Sequence, residues 1–274
     1  MDFEAVNEYL DRIAASETET FMPENPETLK VGLDLGTAYI VLVVLDENDQ
    51  PVAMEKQAAK VLKDGVVVDY IGACRIVKEL KEKIEERIGV ELTECAIAMP
   101  HGTDSSVKTH QYVAETNGMQ VINVLDEPTA ANAVYNISDG AIVDIGGGTT
   151  GLAIFKDGEV IQTEDEPTGG YHLSLVLAGS LGVDLDKAEE IKMDYDQHDM
   201  ILPIVRPVLE KMSSITKKYI DEQSVDCIYL CGGTCRIKGI EDVFAKDFNI
   251  PVVKANDPFL VTPAGIAKNC VRSD

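Results

Sequence analysis

A chain of 274 residues carries 48 acidic against 24 basic side chains, a formal net charge of −24. That surface repels DNA, RNA and anionic lipid, which argues against all three as partners. With 45% hydrophobic and 26% charged residues, the composition is that of a globular protein with a real core. No apolar run reaches the roughly 18 residues that a membrane span needs. The acidic N-terminus lacks the basic-then-apolar order of a signal peptide, so a cytoplasmic protein is expected.

Phe3, Val6, Leu10 and Ile13 recur at helical spacing and predict a short amphipathic helix. The polar stretch Ser16 to Thr28, with Pro23 and Pro26, reads as a linker. Residues 1–29 are thus either a helix packed back on the body or a tethered docking peptide. The body opens with strand Lys30 to Leu35, a loop Gly36 to Tyr39 and a second strand Ile40 to Leu45. Ile76, Leu80, Ile84 and Ile88 then predict a helix that Gly89 can close. Strand Cys95 to Met99, helix Thr103 to Glu115 and strand Gln120 to Val124 make a βαβ unit. Glu127, Pro128 and the small residues Ala130, Ala131 and Ala133 begin another helix.

The opening pattern then returns, with strand Ala141 to Ile145, loop Gly146 to Thr150 and strand Leu152 to Phe155. Ile204, Val208, Met212, Ile215 and Tyr219 mark a long helix, with Pro203 and Pro207 at its start. Strand Cys227 to Leu230 runs into Gly232, Gly233 and Thr234. The chain therefore consists of two similar α/β halves, each opened by a hairpin with a glycine-rich turn.

Cys227, Cys231 and Cys235 are spaced C-x₃-C-x₃-C, not as the C-x₂-C pairs of zinc ribbons, and they read as reduced, packed thiols with Cys74, Cys95 and Cys270. His101, His110, His172 and His198 show no ligand spacing.

The chemistry lies in the two turns. The first reads Leu33-Asp34-Leu35-Gly36-Thr37-Ala38, the second Asp144-Ile145-Gly146-Gly147-Gly148-Thr149-Thr150. Each has an aspartate in the strand two residues before a glycine. Glycine lets the backbone approach an anion, successive N–H groups form a concavity for it, and threonine adds hydroxyl donors. One such turn means little; two at matching points of two similar halves point to phosphate. Were Asp34 and Asp144 to face each other at about 6 Å, they would repel by about 3 kcal/mol at an effective dielectric near 20. Mg²⁺ held mainly through water would offset that and the phosphate charge. No P-loop G-x-x-x-x-G-K-[ST] occurs. At Gly232-Gly233 an adenosine could lie against bare backbone with Arg236 stacked on it. The charged helix around Glu189 and Lys192 reads as a solvated face unless the fold brings it to a ribose.

These turns, with Asp126-Glu127-Pro128-Thr129-Ala130-Ala131 between them, resemble the actin, sugar kinase and DnaK heat-shock ATPase superfamily over Val31 to Ala267. A closer resemblance is to the EutJ-type, chaperone-like proteins of ethanolamine-utilisation operons. It rests on Asp69 to Ala73, Leu125 to Thr129, Val143 to Gly151, Gly169-Gly170-Tyr171-His172 and Val261-Thr262-Pro263. The resemblance implies an α/β fold of two ribonuclease-H-like lobes with a nucleotide cleft between them and small outer subdomains. Lobe I would span 30–135, with a C-terminal helix in 258–274 packing back on it, and lobe II 136–257. ATP or ADP with Mg²⁺ would be the cofactor. Asp34 and Asp144 would orient the metal's waters, and Gly36, Thr37, Ala38, Gly146, Gly147, Gly148 and Thr149 would hold phosphates. Glu127 would help place metal and attacking water, with Asp144 as its catalytic companion. Gly232, Gly233 and Arg236 would line adenosine, with Glu189 and Lys192 near the ribose.

The implied role is a nucleotide-gated assembly or reactivation factor for enzymes or shell proteins of an ethanolamine-utilisation microcompartment. An actin-like polymer, a small-molecule kinase and a nucleotide-binding pseudoenzyme are the competing readings. The chain departs from the DnaK pattern where that family keeps a second aspartate, here Gly151, which implies slow or lost hydrolysis. The catalytic lysine has no match better than Arg75. With no peptide-binding β-domain after Asp274, peptide capture in the DnaK manner is not expected.

Overall fold

The computed structural model describes residues 2–26, 28–63, 65–99, 104–220, 223 and 225–271. His101 and the expected helix start at Thr103 lie outside these residues. The described chain forms two compact units, Met1–Asn136 with Leu260–Asp274, and Ile137–Phe259.

In the first unit, α1 (Phe3–Ala15) precedes β1 (Lys30–Leu35), β2 (Tyr39–Leu45), β3 (Pro51–Ala58) and the small hairpin of β4 (Leu62–Lys63) and β5 (Val66–Val67). Then come α2 (Tyr70–Ile88), β6 (Glu94–Met99), α3 (Asp104–Thr116), β7 (Gln120–Asp126) and α4 (Glu127–Tyr135). The second unit holds β8 (Gly140–Ile145), β9 (Thr150–Lys156), β10 (Glu159–Glu166), α5 (Gly170–Leu181), α6 (Leu185–Met193) and α7 (His198–Ile220). It closes with β11 (Ile228–Cys231), α8 (Ile240–Ala245) and β12 (Val252–Lys254), and α9 (Val261–Lys268) returns to the first unit.

The two five-stranded sheets have the same topology. Their orders are β3-β2-β1-β6-β7 and β10-β9-β8-β11-β12. In each, three antiparallel strands are followed by two parallel ones. Parallel pairing needs a helical crossover, whereas the opening meander needs only tight turns, so the glycine turns fall at the β1–β2 and β8–β9 connections.

Alternation decides what each strand shows to which face. Val31, Leu33 and Leu35 enter a core with Ile76, Leu80, Ile84 and Ile88 of α2, which leaves Asp34 on the other face. Ala141, Val143 and Ile145 enter a core with Leu173 and Leu177 of α5 and Val205, Leu209 and Met212 of α7, which turns Asp144 away from those helices. Burial of these aliphatic side chains, about 25 cal/mol per Å² of apolar surface, is what fixes the register of both hairpins.

The structure takes one of the two readings of α1, the helix packed back on the body, and changes two other expectations. Helix α1 buries Val6, Leu10 and Ile13, so its apolar stripe is already occupied within the first unit. The stretch read as a linker is pinned along β3. Phe21 N–H donates to the Val52 carbonyl (2.9 Å) and Met54 N–H to the Ser16 carbonyl (3.0 Å). Arg87 of α2 gathers this strap, donating to the carbonyls of Ser16 (2.7 Å), Glu17 (3.1 Å), Glu19 (2.6 Å) and Met54 (3.1 Å). A polar, proline-bearing stretch gives no sign of being ordered when its anchor is one guanidinium some 70 positions away, with five donors to distribute. Finally, α7 starts at His198, so Pro203 and Pro207 lie inside it and not at its start.

Candidate functional site

Each glycine turn is built differently. In the first unit, Gly36 to Ala38 join β1 to β2, and the Ala38 carbonyl accepts from Ala59 N–H at 2.9 Å. Asp34, paired with Val41 in the hairpin, is half-buried. At the end of β7, Asp126 caps α4 by accepting from Thr129 N–H (2.9 Å), with Pro128 in the first turn. Glu127 therefore stands at the N-terminal end of α4, half-buried.

In the second unit the turn is braced. Gly146 N–H donates to the Thr149 carbonyl (3.0 Å), while the Gly146 carbonyl accepts from Gly170 N–H (2.9 Å) and the Thr234 hydroxyl (2.8 Å). The Gly147 carbonyl accepts from Tyr171 N–H at 2.8 Å. The first N–H groups of α5 are thus directed at the turn. The segment before α5 lies so close that a Cβ on Gly169 would stand 2.7–2.8 Å from the backbone of Gly147 and Gly148. Thr150 ties in the same segment through its hydroxyl to the Thr168 carbonyl (2.6 Å). These bonds set the turn's peptide planes in advance, the condition for a binding turn that need not reorganise.

Asp144 is 5% exposed and sits beside Gly232. Gly232 has φ +90°, and a Cβ there would stand 2.3 Å from the Asp144 Oδ1. The positive φ and the carboxylate together leave room for no other residue. Across β9 is an acid that the sequence reading passed over. Asp165 accepts from the Thr149 side chain, and its Oδ1 is shut off from solvent without a partner. Burial first, against the opposing effect of the Thr149 hydrogen bond and with the Asp144 charge adding, pushes its carboxyl up to about 8.

Gly233, Thr234 and Arg236 follow Gly232 in a single 3₁₀ turn. With Lys192, His198 and Ile237 they line one pocket. Lys192 donates to the Gly170 carbonyl (3.0 Å), the Ser174 hydroxyl (2.9 Å) and Glu189 (2.7 Å), and burial lowers its pKa. The Ser174 hydroxyl donates to the same Glu189 carboxylate at 2.5 Å. Arg236 forks onto Asp257 (2.9 and 2.7 Å), with its guanidinium 4.6 Å from the Phe259 ring centre. His198 Nδ1 accepts from Lys238 N–H (3.2 Å), which sets the tautomer whose Nε2 donates to the Lys192 carbonyl (2.9 Å).

A divalent cation fits this donor set through its water shell. Among the described residues no three His, Cys, Asp or Glu side chains gather as direct ligands. Asp144, Thr149 and the unpartnered oxygen of Asp165 offer oxygen donors of the kind Mg²⁺ takes. The six cysteines are all free thiols.

The profile of the cell division protein FtsA matches residues 141–268, and that of the MreB/Mbl protein residues 52–177. The ethanolamine utilization protein EutJ of Salmonella typhimurium (strain LT2) is 40% identical over 242 residues, covering 88% of this chain and 85% of its own length. The chain belongs to the EutJ family. The crystal structure of EutJ from Carboxydothermus hydrogenoformans agrees, with a TM-score of 0.91 at 42% identity, covering 98% of this chain and 99% of that one. The fold is the two-lobed actin-like ATPase fold. MreB5 of Spiroplasma citri bound to ADP shares it, with a TM-score of 0.71 at 18% identity over 88% of this chain and 95% of that one. A chaperone protein HscA homolog of Rickettsia prowazekii is 27% identical over 69% of this chain and 38% of its own length.

In this EutJ member the second unit brings Asp144, Gly146 to Thr149, Gly232, Gly233, Arg236, Glu189 and Lys192 into one connected neighbourhood, and the first places Asp34, Gly36 to Ala38 and Glu127 at strand and helix ends. Sequence reasoning missed Asp165, Ser174 and Asp257, and named Thr234 without giving it a role. The sequence carried no signal for Asp165: the β-bulge between Val160 and Gln162 breaks the alternation of β10, and three acids within Glu164 to Glu166 disguise it as a solvated run.

Proposed function

We propose that this chain binds ATP or ADP with Mg²⁺, using the glycine turns of the two units as its phosphate-binding elements. The observation that carries the reading is the braced β8–β9 turn, with buried Asp144 beside it and a pocket lined by Gly233, Arg236 and Lys192 one strand away. Asp34 and Asp144 orient the cation's water, Gly36 to Ala38 and Gly146 to Thr149 hold phosphates, and Glu127 orients a water for attack. Gly232, Gly233 and Arg236 receive adenosine, with Glu189 and Lys192 on its ribose side. Since Arg236 is already paired with Asp257, it offers the base a flat guanidinium face and little net charge. Bound Mg²⁺ neutralises phosphate charge, which a protein of net charge −24 does not do unaided.

On this reading the bound nucleotide biases a conformational equilibrium. The protein serves as a chaperone-like assembly or reactivation factor for ethanolamine-utilisation enzymes of a microcompartment, in the cytoplasm, with slow or lost hydrolysis. No helix among the described residues is long and apolar enough to cross a membrane. Calorimetry of the full chain with MgATP and MgADP tests the first step, and binding of neither overturns it. Pull-downs from ethanolamine-grown cells, with ATP and with ADP, test the second; captured proteins that do not differ between nucleotides argue against gating. The matches to MreB and FtsA profiles favour one alternative, a nucleotide-dependent polymer. Pelleting with ATP would establish it, and monomer at high concentration with ATP would dismiss it.

A further inference from the structure

Strand β10 places an acid in a row the hairpin alone would not complete. Asp144 of β8 stands opposite Gly151 of β9, and Gly151 opposite Asp165 of β10. Residues directly opposed in antiparallel strands share a face, so both carboxylates project from one face with no side chain between them. Two strand spacings put their α-carbons about 10 Å apart. Thr149, last residue of the glycine turn, joins this row through its hydroxyl, which donates to Asp165. The other oxygen of Asp165 is enclosed and unpartnered.

A threonine hydroxyl has a single proton. Once donated to a carboxyl oxygen, which accepts whether or not the group carries its own proton, it leaves an oxygen that only accepts. Such an oxygen repels phosphate and suits a cation or the waters around it. We propose that Asp165 is a positioning residue: by taking the Thr149 proton it makes that hydroxyl, with Asp144 across Gly151, a seat for the hydrated cation that accompanies the phosphates. The inference rests on the nucleotide reading above. It reassigns Thr149 from phosphate donor to cation-side acceptor, and leaves phosphate to the turn's backbone.

The test measures ATP affinity of the full chain by calorimetry in Mg²⁺ and in EDTA. Asp165→Ala should weaken binding about tenfold in Mg²⁺ and change it less than twofold in EDTA, and Thr149→Val should weaken it at least as much in Mg²⁺. Loss of fold would lower both alike. The double variant should bind no more weakly than Thr149→Val alone, and Asp165→Asn, which keeps an acceptor oxygen, should recover most of the loss. Wild-type affinity for Asp165→Ala in Mg²⁺, an equal loss in EDTA, or additive losses in the double variant would each overturn the inference while the nucleotide reading stands. A wild-type chain that binds ATP in neither condition overturns both.

Discussion

The β1–β2 and β8–β9 turns share a pattern, an aspartate two residues before a glycine in the first hairpin of a five-stranded sheet, yet their surroundings differ. The second is braced from three sides, by its own Thr149 carbonyl, by the start of α5 and by Thr234. Its aspartate is buried, while Asp34 in the first is half-buried. The comparison teaches that a sequence motif specifies a backbone shape, whereas its rigidity comes from what the rest of the unit packs against it. A braced turn costs little to order on binding; a less buttressed one adapts to what it meets.

The largest effect expected from this asymmetry is at the two aspartates. Asp144→Ala should weaken Mg²⁺-dependent ATP binding at least about a hundredfold, and Asp34→Ala about tenfold, as the buried, pre-set carboxylate carries more of the interaction. Calorimetry in Mg²⁺ with circular dichroism for fold would decide it; the reverse order would break the comparison. Next come the glycines. A Cβ on Gly36 would stand 2.7 Å from the Tyr39 carbonyl oxygen, whereas one on Gly146 would stand 3.6 Å from that of Thr149, an ordinary contact. Gly36→Ala should therefore cost roughly 1–3 kcal/mol of stability and Gly146→Ala under about 0.5. Equal shifts in urea midpoint would show that space at the turn does not govern tolerance.

The smallest effect is a pH dependence confined to the second unit. Asp165 titrates near 8 in the folded chain against an ordinary value of 3.8. Between those values the folded chain keeps a proton that the unfolded chain has released, so stability falls as pH rises through the window and the penalty is complete above about 8. Asp165→Asn removes it. Measured without nucleotide in EDTA, the variant should match wild type near pH 4 and exceed it above pH 8 by about 1–2 kcal/mol, after allowance for solvent screening at a partly exposed carboxyl. A gain that did not change with pH would show Asp165 to be ionised throughout.

Gly151 illustrates how far sequence reached. Its lack of a carboxylate read as a loss at the site, yet the strand paired with it supplies Asp165 at the same level of the sheet. The alternating and 3.6-residue patterns of Val31, Leu33 and Leu35 against Ile76, Leu80 and Ile84 made the first sheet and its helix legible, because burial imposes those periods on the sequence itself. Glu189 and Lys192 carried no such mark, since a charged helix face looks alike whether it meets water or a neighbouring helix. Only the packing of α6 on α5 turned them into a partly buried network with Ser174.

The sequence by itself determined the two-fold repeat of hairpin and crossover, the position of both glycine turns, and the family. Each is encoded locally, in hydrophobic period, in glycine and in residues adjacent along the chain. Tertiary structure decided which turn is braced, that the N-terminal strap is fastened by Arg87, and that Asp165 shares a row with Asp144. Those facts depend on pairing between residues far apart in the chain, and strand register, set by the whole core at once, leaves no signature at any single position.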